Sequence, residues 1–370
     1  MRKWIAMTAA LLFSAQALGN TCQWQEWRQF KQLYIEDGRV IDASDPRLIS
    51  TSEGQSYGLF FALVANDKKA FSQLLNWTQD HLAGGDITAR LPAWLWGRQS
   101  NGRYAVIDSN PASDSDLWIA YSLAEAGRLW DNYYYQSLAH LLAARILREE
   151  TAEVDGIGTV LLPAPAGFEN KDGSYRINPS YIPLQLAARM ADLYPQYQWQ
   201  SMYQTSYEMI RRTMPKGFSP DWATLQDKRY LSDRKTADVG SYNAIRTYLW
   251  AGMLNDAVPE KTALIQLMQP MVTAVQSNQV PPESVNTKTA KYHNRGNPGF
   301  SAALLPLLVS AEQPLLAKQQ AERAQNELQR DTAGHYYDNV LALFGEGWYQ
   351  KRFRFAVNGQ LQPNWNSTCQ

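Results

Sequence analysis

The chain has 370 residues, with 35 basic and 35 acidic side chains and no net formal charge. Balanced charge with no basic block argues against nucleic acid as a partner, and the length allows one large domain or two. Thirteen Trp and 20 Tyr suit either a surface that stacks on flat, hydroxylated ligands or a Trp-rich core, and composition does not choose between them.

The first stretch, "MRKWIAMTAALLFSAQALGN", has a basic start, a short apolar run and a small-residue exit, the layout of a secretory signal peptide covering residues 1–19. The run is too short to span a bilayer, and no later run reaches the ~20 residues needed. Export places the mature chain in the periplasm or outside the cell. There Cys22 and Cys369 are expected to pair rather than stay free, tying the two ends together as in a closed ring. His81, His140, His293 and His335 are scattered, so neither a metal nor another cofactor is expected.

Helical periodicity dominates the rest of the chain. It predicts helices at 24–35, 54–65, 68–82, 114–129, 132–148, 180–193, 197–213, 241–255, 258–276, 299–309, 313–328 and 336–350. Strand patterns are few, with 103–109 and 158–164 the best. The twelve helices arrive in pairs joined by Asp-, Gly- and Pro-bearing turns, and no linker divides residues 20–370. Six helical hairpins closed in a ring give an all-α, α/α-barrel fold with one functional face at the inner helix starts.

Three polar clusters fall at helix starts. In "STSEGQSYGLFFALVAND" (50–67) Glu53 precedes a strongly apolar helix. The stretch fits a capping box, in which Glu serves a backbone N–H. Gly54 and Gly58 argue for more, because each costs about 1 kcal/mol against Ala inside a helix and makes room for an approaching group. The same segment fits the G-x-S-x-G nucleophile elbow at Ser56, but the strand-turn-helix context that motif needs is missing. In "NPASDSDLWIAYSLAEAGRLW" (110–130) Asp114 and Asp116 open a helix that needs only one cap. In "GSYNAIRTYLW" (240–250) Tyr242, Asn243 and Arg246 crowd one helix start, with Arg246 one turn from the other two.

These segments together resemble glycoside hydrolase family 8. "ASDSDLWIAYSLAEAGRLW" resembles the family's signature, with Ser115 between the aspartates. "TSEGQSYG" resembles its general-acid segment, and "GSYNAIR" its base segment. "NPSY" (178–181), "GFSPDW" (217–222) and "YYDNVLALFGEGW" (336–348) match as well. Within the family the resemblance is strongest to periplasmic endoglucanases encoded with bacterial cellulose synthases. It implies an (α/α)6 barrel and inverting, endo-acting hydrolysis of β-1,4-glucan, with a link to cellulose-synthase machinery. It implies that Glu53 is the general acid and that Asp114 holds the distorted sugar. Trp94 and Trp96 of "PAWLWG", Tyr181, Trp222, Tyr242 and Arg246 are implied substrate-binding residues.

One position departs from the pattern. The family's "SYDAxR" supplies an aspartate that deprotonates the attacking water, and here that position is Asn243. An amide can hold the water but cannot take its proton. Asp238 is the nearest substitute in sequence, with Asp233 farther out. The alternatives are an enzyme slowed by the ~10²–10⁴-fold typical of losing a general base, or a glucan-binding protein that does not cut.

Overall fold

A computed structural model describes residues 24–365. The expected signal peptide and both cysteines lie outside the described residues. Among these residues there are thirteen α-helices: α1 Gln25–Tyr34, α2 Ser52–Val64, α3 Lys68–Leu82, α4 Ser113–Leu129, α5 Tyr133–Glu149, α6 Leu184–Leu193 and α7 Trp199–Arg212, followed by α8 Ala244–Met253, α9 Pro259–Leu267, α10 Gln269–Asn278, α11 Pro298–Ser310, α12 Pro314–Glu327 and α13 Tyr336–Tyr349. The expected single helix 258–276 is two. Met268 ends α9 and leads into α10, where Pro270 occupies the first turn. Proline has no N–H to donate back along a continuing helix, so it is tolerated at a start and not in an interior.

Helices α2, α4, α8, α11 and α13 are buried on almost every side, whereas α3, α5, α7 and α12 keep polar outer faces. Helices apolar all round belong inside. Contacts run α2 to α4, α4 to α6, α6 to α8, α8 to α11 and α11 to α13. Phe344 on α13 closes the ring against Phe61 on α2 at 4.6 Å between ring centroids. The result is the expected (α/α)6 barrel. Two glycines set its tightest crossings. A Cβ at Gly252 would strike the α11 backbone at Pro306 and Leu307, and one at Gly345 would strike the Ala302 carbonyl.

The barrel axis is filled by aromatic rings. Trp118 packs on Phe60 at 4.8 Å and on Trp250 at 5.3 Å, and Trp250 on Phe344 at 4.9 Å. Much of the aromatic excess is therefore core, where large edge-to-face surfaces stabilise burial.

The β-structure is richer than expected but short. Three sheets of three strands stand directly before inner helices. The first joins Ser50–Thr51, Leu95–Arg98 and Tyr104–Asp108. The second joins Tyr175–Ile177, Ala223–Gln226 and Arg229–Ser232. The third joins Val239–Gly240, Pro282–Asn286 and Tyr292–Arg295. They lead into α2, α6 and α8 respectively, and so frame the face where those helices begin. No helix among the described residues is long and apolar enough to cross a membrane.

Candidate active site

The start of α2 settles what Glu53 is not doing. The cap is Thr51, whose Oγ1 accepts the Gly54 N–H at 3.0 Å, so the Glu53 carboxylate is free of that task. Gly54 leaves room for the Tyr336 hydroxyl, which would lie 2.6 Å from a Cβ there. Ser56 is fully buried inside α2 and donates to the Glu53 carbonyl at 2.7 Å. It is no exposed nucleophile, so the serine-hydrolase motif has no structural context.

At the start of α4, Asp114 and Asp116 diverge. Asp114 Oδ1 accepts the Ser115 N–H at 2.8 Å, and its Oδ2 lies 3.6 Å from Arg246 Nη1. Burial, then the neighbouring Glu53, push the Asp114 carboxyl up from 3.8 to about 7 against the pull of Arg246. Asp116 points the other way, fully buried against Glu150 at the end of α5. Burial drives both carboxyls well up, and two such groups without a cation must share a proton.

The start of α8 is held by Asp221, which sequence reasoning passed over. Its Oδ1 accepts the N–H groups of Ser241, Asn243 and Ala244 at 2.8, 2.9 and 2.8 Å, three of the donors a helix leaves unpaired at its N-terminus. Asn243 Oδ1 accepts from Arg246 Nη2 at 2.9 Å and from Asn178 Nδ2 at 3.3 Å.

Arg246 is the hub. Its Nη1 donates to Glu53 Oε2 and, at 3.1 Å, to the Tyr57 hydroxyl. Its Nη2 reaches Ser180 Oγ at 3.4 Å, and the guanidinium lies 5.8 Å from the Tyr181 ring centroid. Burial alone would lower its pKa, but Glu53, Tyr57, Tyr337 and Asp114 drive it well up. One buried cation thus joins the starts of α2, α4 and α8 to the "NPSY" turn.

The remaining expected residues divide. Trp222 stacks on Phe168 at 5.8 Å, carries the Arg176 guanidinium at 3.8 Å and tilts toward Tyr181. Arg176 is in turn held by both oxygens of Asp233, at 2.9 and 3.1 Å. Trp94 is 37 % exposed, and its carbonyl accepts the Ser52 N–H at 3.0 Å, placing it beside Glu53 in the chain fold. Tyr242 lies against Phe300 and Tyr337 and donates to Glu283 Oε1 at 3.1 Å. Trp96 is not with this group: its ring packs on Trp77 and Tyr104 under Arg39. Asp238 pairs with Lys288 at 3.5 Å. Asp221, Asn178, Tyr57 and Tyr337 were missed, although each lies in one of the quoted segments. Among the described residues no group of three His, Cys, Asp or Glu is arranged to hold a metal ion.

A partly exposed carboxyl, a buried carboxyl pushed up toward neutrality, a guanidinium between them and an aromatic platform alongside make a site for acid–base chemistry on a polyhydroxylated chain. Known proteins agree with that chemistry. The family model described as "Glycosyl hydrolases family 8" matches residues 1–351. An endoglucanase of Salmonella typhi is 46% identical over 373 residues, covering 100% of this chain and 98% of that protein. The solved endo-1,4-D-glucanase of Vibrio fischeri ES114 is 55% identical, with TM-score 0.87 over 93% of this chain and 100% of that one. The endo-beta-1,4-glucanase CMCax of Acetobacter xylinum, 24% identical, shares the fold with TM-score 0.71 over 87% of this chain and 96% of its own. The chain therefore belongs to glycoside hydrolase family 8.

Proposed function

We propose that this glycoside hydrolase is an endo-acting β-1,4-glucanase that cuts cellulose or a related β-glucan with inversion at the anomeric carbon. The convergence of Glu53, Asp114 and Asn243 on the single guanidinium of Arg246 carries the reading. Glu53 is the proton donor to the departing glycosidic oxygen. Asp114 and Arg246 hold the sugar next to the bond that breaks, and Tyr181, Trp222, Tyr242 and Trp94 carry the flanking sugars. An inverting enzyme needs its acid and base roughly 6.5–9.5 Å apart, with a water between them. Glu53 is ion-paired with Arg246. For Glu53 to deliver a proton, an incoming sugar must part the two.

The leader expected at 1–19 supports export, and with it action in the periplasm or outside the cell beside cellulose-synthase machinery. The names of the relatives support β-glucan as the substrate. A second reading has one specific observation behind it: the family's base position carries an amide, which would leave a glucan-binding protein with little hydrolysis.

Reducing-end release from soluble carboxymethyl-cellulose separates the two. The hydrolase releases reducing ends with a rapid fall in viscosity, and Glu53→Gln abolishes both. Binding without release by the unaltered protein would refute the enzymatic reading.

A further inference from the structure

Inversion requires a group that takes a proton from the attacking water, and Asn243 has none to offer. The carboxylates around the start of α8 are Asp221, Asp233, Asp238, Glu283 and Asp338, and the structure separates them. Both oxygens of Asp233 are taken by Arg176, and Oδ2 also by the Thr236 N–H and hydroxyl at 2.8 Å. Asp238 faces Lys288. Glu283 accepts the outward-facing Tyr242 hydroxyl. Asp338 faces His335, Arg323 and Asn297. Asp221 lies near enough to Arg246 to feel its charge, and Tyr337 has Asp221, Glu53 and Asp114 together as charged neighbours.

We propose that Asp221 is the general base of this enzyme. Its Oδ1 is fixed by three backbone N–H groups, and its Oδ2 meets no protein donor and is not sealed from solvent. One oxygen therefore orients the carboxylate and the other is left to work. Asn243 complements it. With its Oδ1 turned to Arg246 and Asn178, its amide nitrogen is left without a protein acceptor and is open to solvent. A water donating to Asp221 Oδ2 and accepting from Asn243 Nδ2 keeps one lone pair for the sugar.

The step balances. The water oxygen forms the new bond to the anomeric carbon as the bond to the departing oxygen breaks. The departing oxygen takes the proton of Glu53, and Asp221 takes the proton of the water. Solvent returns the proton from Asp221 to Glu53. Burial pushes the Asp221 carboxyl above its ordinary range, against its backbone N–H bonds and Arg246, which strengthens it as a base. The charged and titratable groups facing it are Arg246, Tyr337 and Tyr248.

This assignment rests on the hydrolase reading, and the test keeps the two apart. The wild type, Glu53→Gln, Asp221→Asn, Asp238→Asn, Asn243→Asp and Asp221→Asn/Asn243→Asp are assayed on carboxymethyl-cellulose across pH. Asp221→Asn keeps an oxygen for the three N–H groups, and circular dichroism checks the fold. The expected result is a kcat lower by ~10²–10⁴-fold at little-changed KM, with the acidic limb of the pH profile gone. The double variant regains rate and limb, because Asn243→Asp places a carboxylate against the same water. A role confined to capping would change stability and leave the limb in place.

Wild-type kcat in Asp221→Asn, or loss in Asp238→Asn instead, overturns the assignment while leaving the hydrolase reading intact. A silent wild type revived by Asn243→Asp overturns it too. Silence in every protein sinks both.

Discussion

Asp114 offers a test in which function and stability pull apart. The carboxyl is 4 % exposed and titrates at about 7 in the folded chain against an ordinary 3.8. Below pH 3.8 both folded and unfolded chains carry the proton, and the group is neutral toward folding. As pH rises the unfolded chain ionises first, so stability is lost progressively until the folded carboxyl titrates near pH 7. The gap between 3.8 and about 7, at 1.36 kcal/mol per pH unit, is about 4 kcal/mol. Asp114→Asn preserves the shape and the acceptor for the Ser115 N–H and removes the ionisation. Since 1 kcal/mol moves the melting temperature by roughly 2 °C in a chain of this size, the variant melts ~4–8 °C higher than wild type at pH 8. The two coincide within about a degree at pH 4 on the same argument. Thermal melts followed by circular dichroism at half-unit steps of pH measure this, and cellulase activity falls in the same variant. A difference that does not change between pH 4 and pH 8, or a variant less stable than wild type at pH 8, refutes the reasoning.

Asp233→Asn frees Arg176 from its place over Trp222. KM for cello-oligosaccharides rises several-fold with a smaller change in kcat. Because Arg176 and Thr236 hold the Asp233 carboxyl down at about 2 despite its burial, the stability it contributes is present above pH 3.8. That contribution disappears as pH falls toward 2, so wild type and variant converge there in acid denaturation followed by tryptophan fluorescence. Gly345→Ala drives a methyl into the Ala302 carbonyl on α11 and lowers the urea midpoint by the equivalent of about 1–3 kcal/mol. Cys22 and Cys369 are expected to pair after export. Intact-mass analysis of exported protein is expected to show no free thiol, and Cys22→Ser to cost about 2 kcal/mol or more in stability.

The helices and their ring closure were legible because the inner helices are apolar all round. A helix such as "PGFSAALLPLLVS" (298–310) can only be stable inside. The short sheets were not, since strands of two to five residues carry no alternation long enough to read. The break at Met268 hid because the apolar spacing continues through it, and only Pro270 marks the new start. The three clusters were legible for a different reason: carboxylates, amides and a guanidinium at the starts of buried helices have little solvent to satisfy them, so most of their polar atoms must meet one another. Glu53 could be read from sequence either as a cap or as a reacting group. The choice depended on which residue caps α2: with Thr51 as the cap, the position that a capping-box Glu would fill is Gly54, not Glu53.

The base question shows most plainly where sequence distance misleads. Asp238 lies about one helical turn before Asn243 in sequence, but the residues between them are not helical. Val239–Gly240 is a strand, paired with Pro282–Asn286, and successive side chains of a strand point to opposite faces. The chain therefore reaches α8 extended, and Asp238 is left with Lys288. Asp221 lies twenty-two residues before Asn243 and arrives by a different route. Its N–H pairs with the Val239 carbonyl at 2.8 Å, which draws the "SPDW" segment alongside the strand leading into α8. Its carboxylate then reaches over the first turn, where unpaired N–H groups and the helix dipole favour a negative charge. Those forces would hold a carboxylate there whether or not it ever touched a water. What makes the position chemical is that Arg246, one turn on, also holds Glu53 and Asp114. A capping aspartate at the start of α8 is thus also the carboxylate positioned to replace the one that Asn243 lacks.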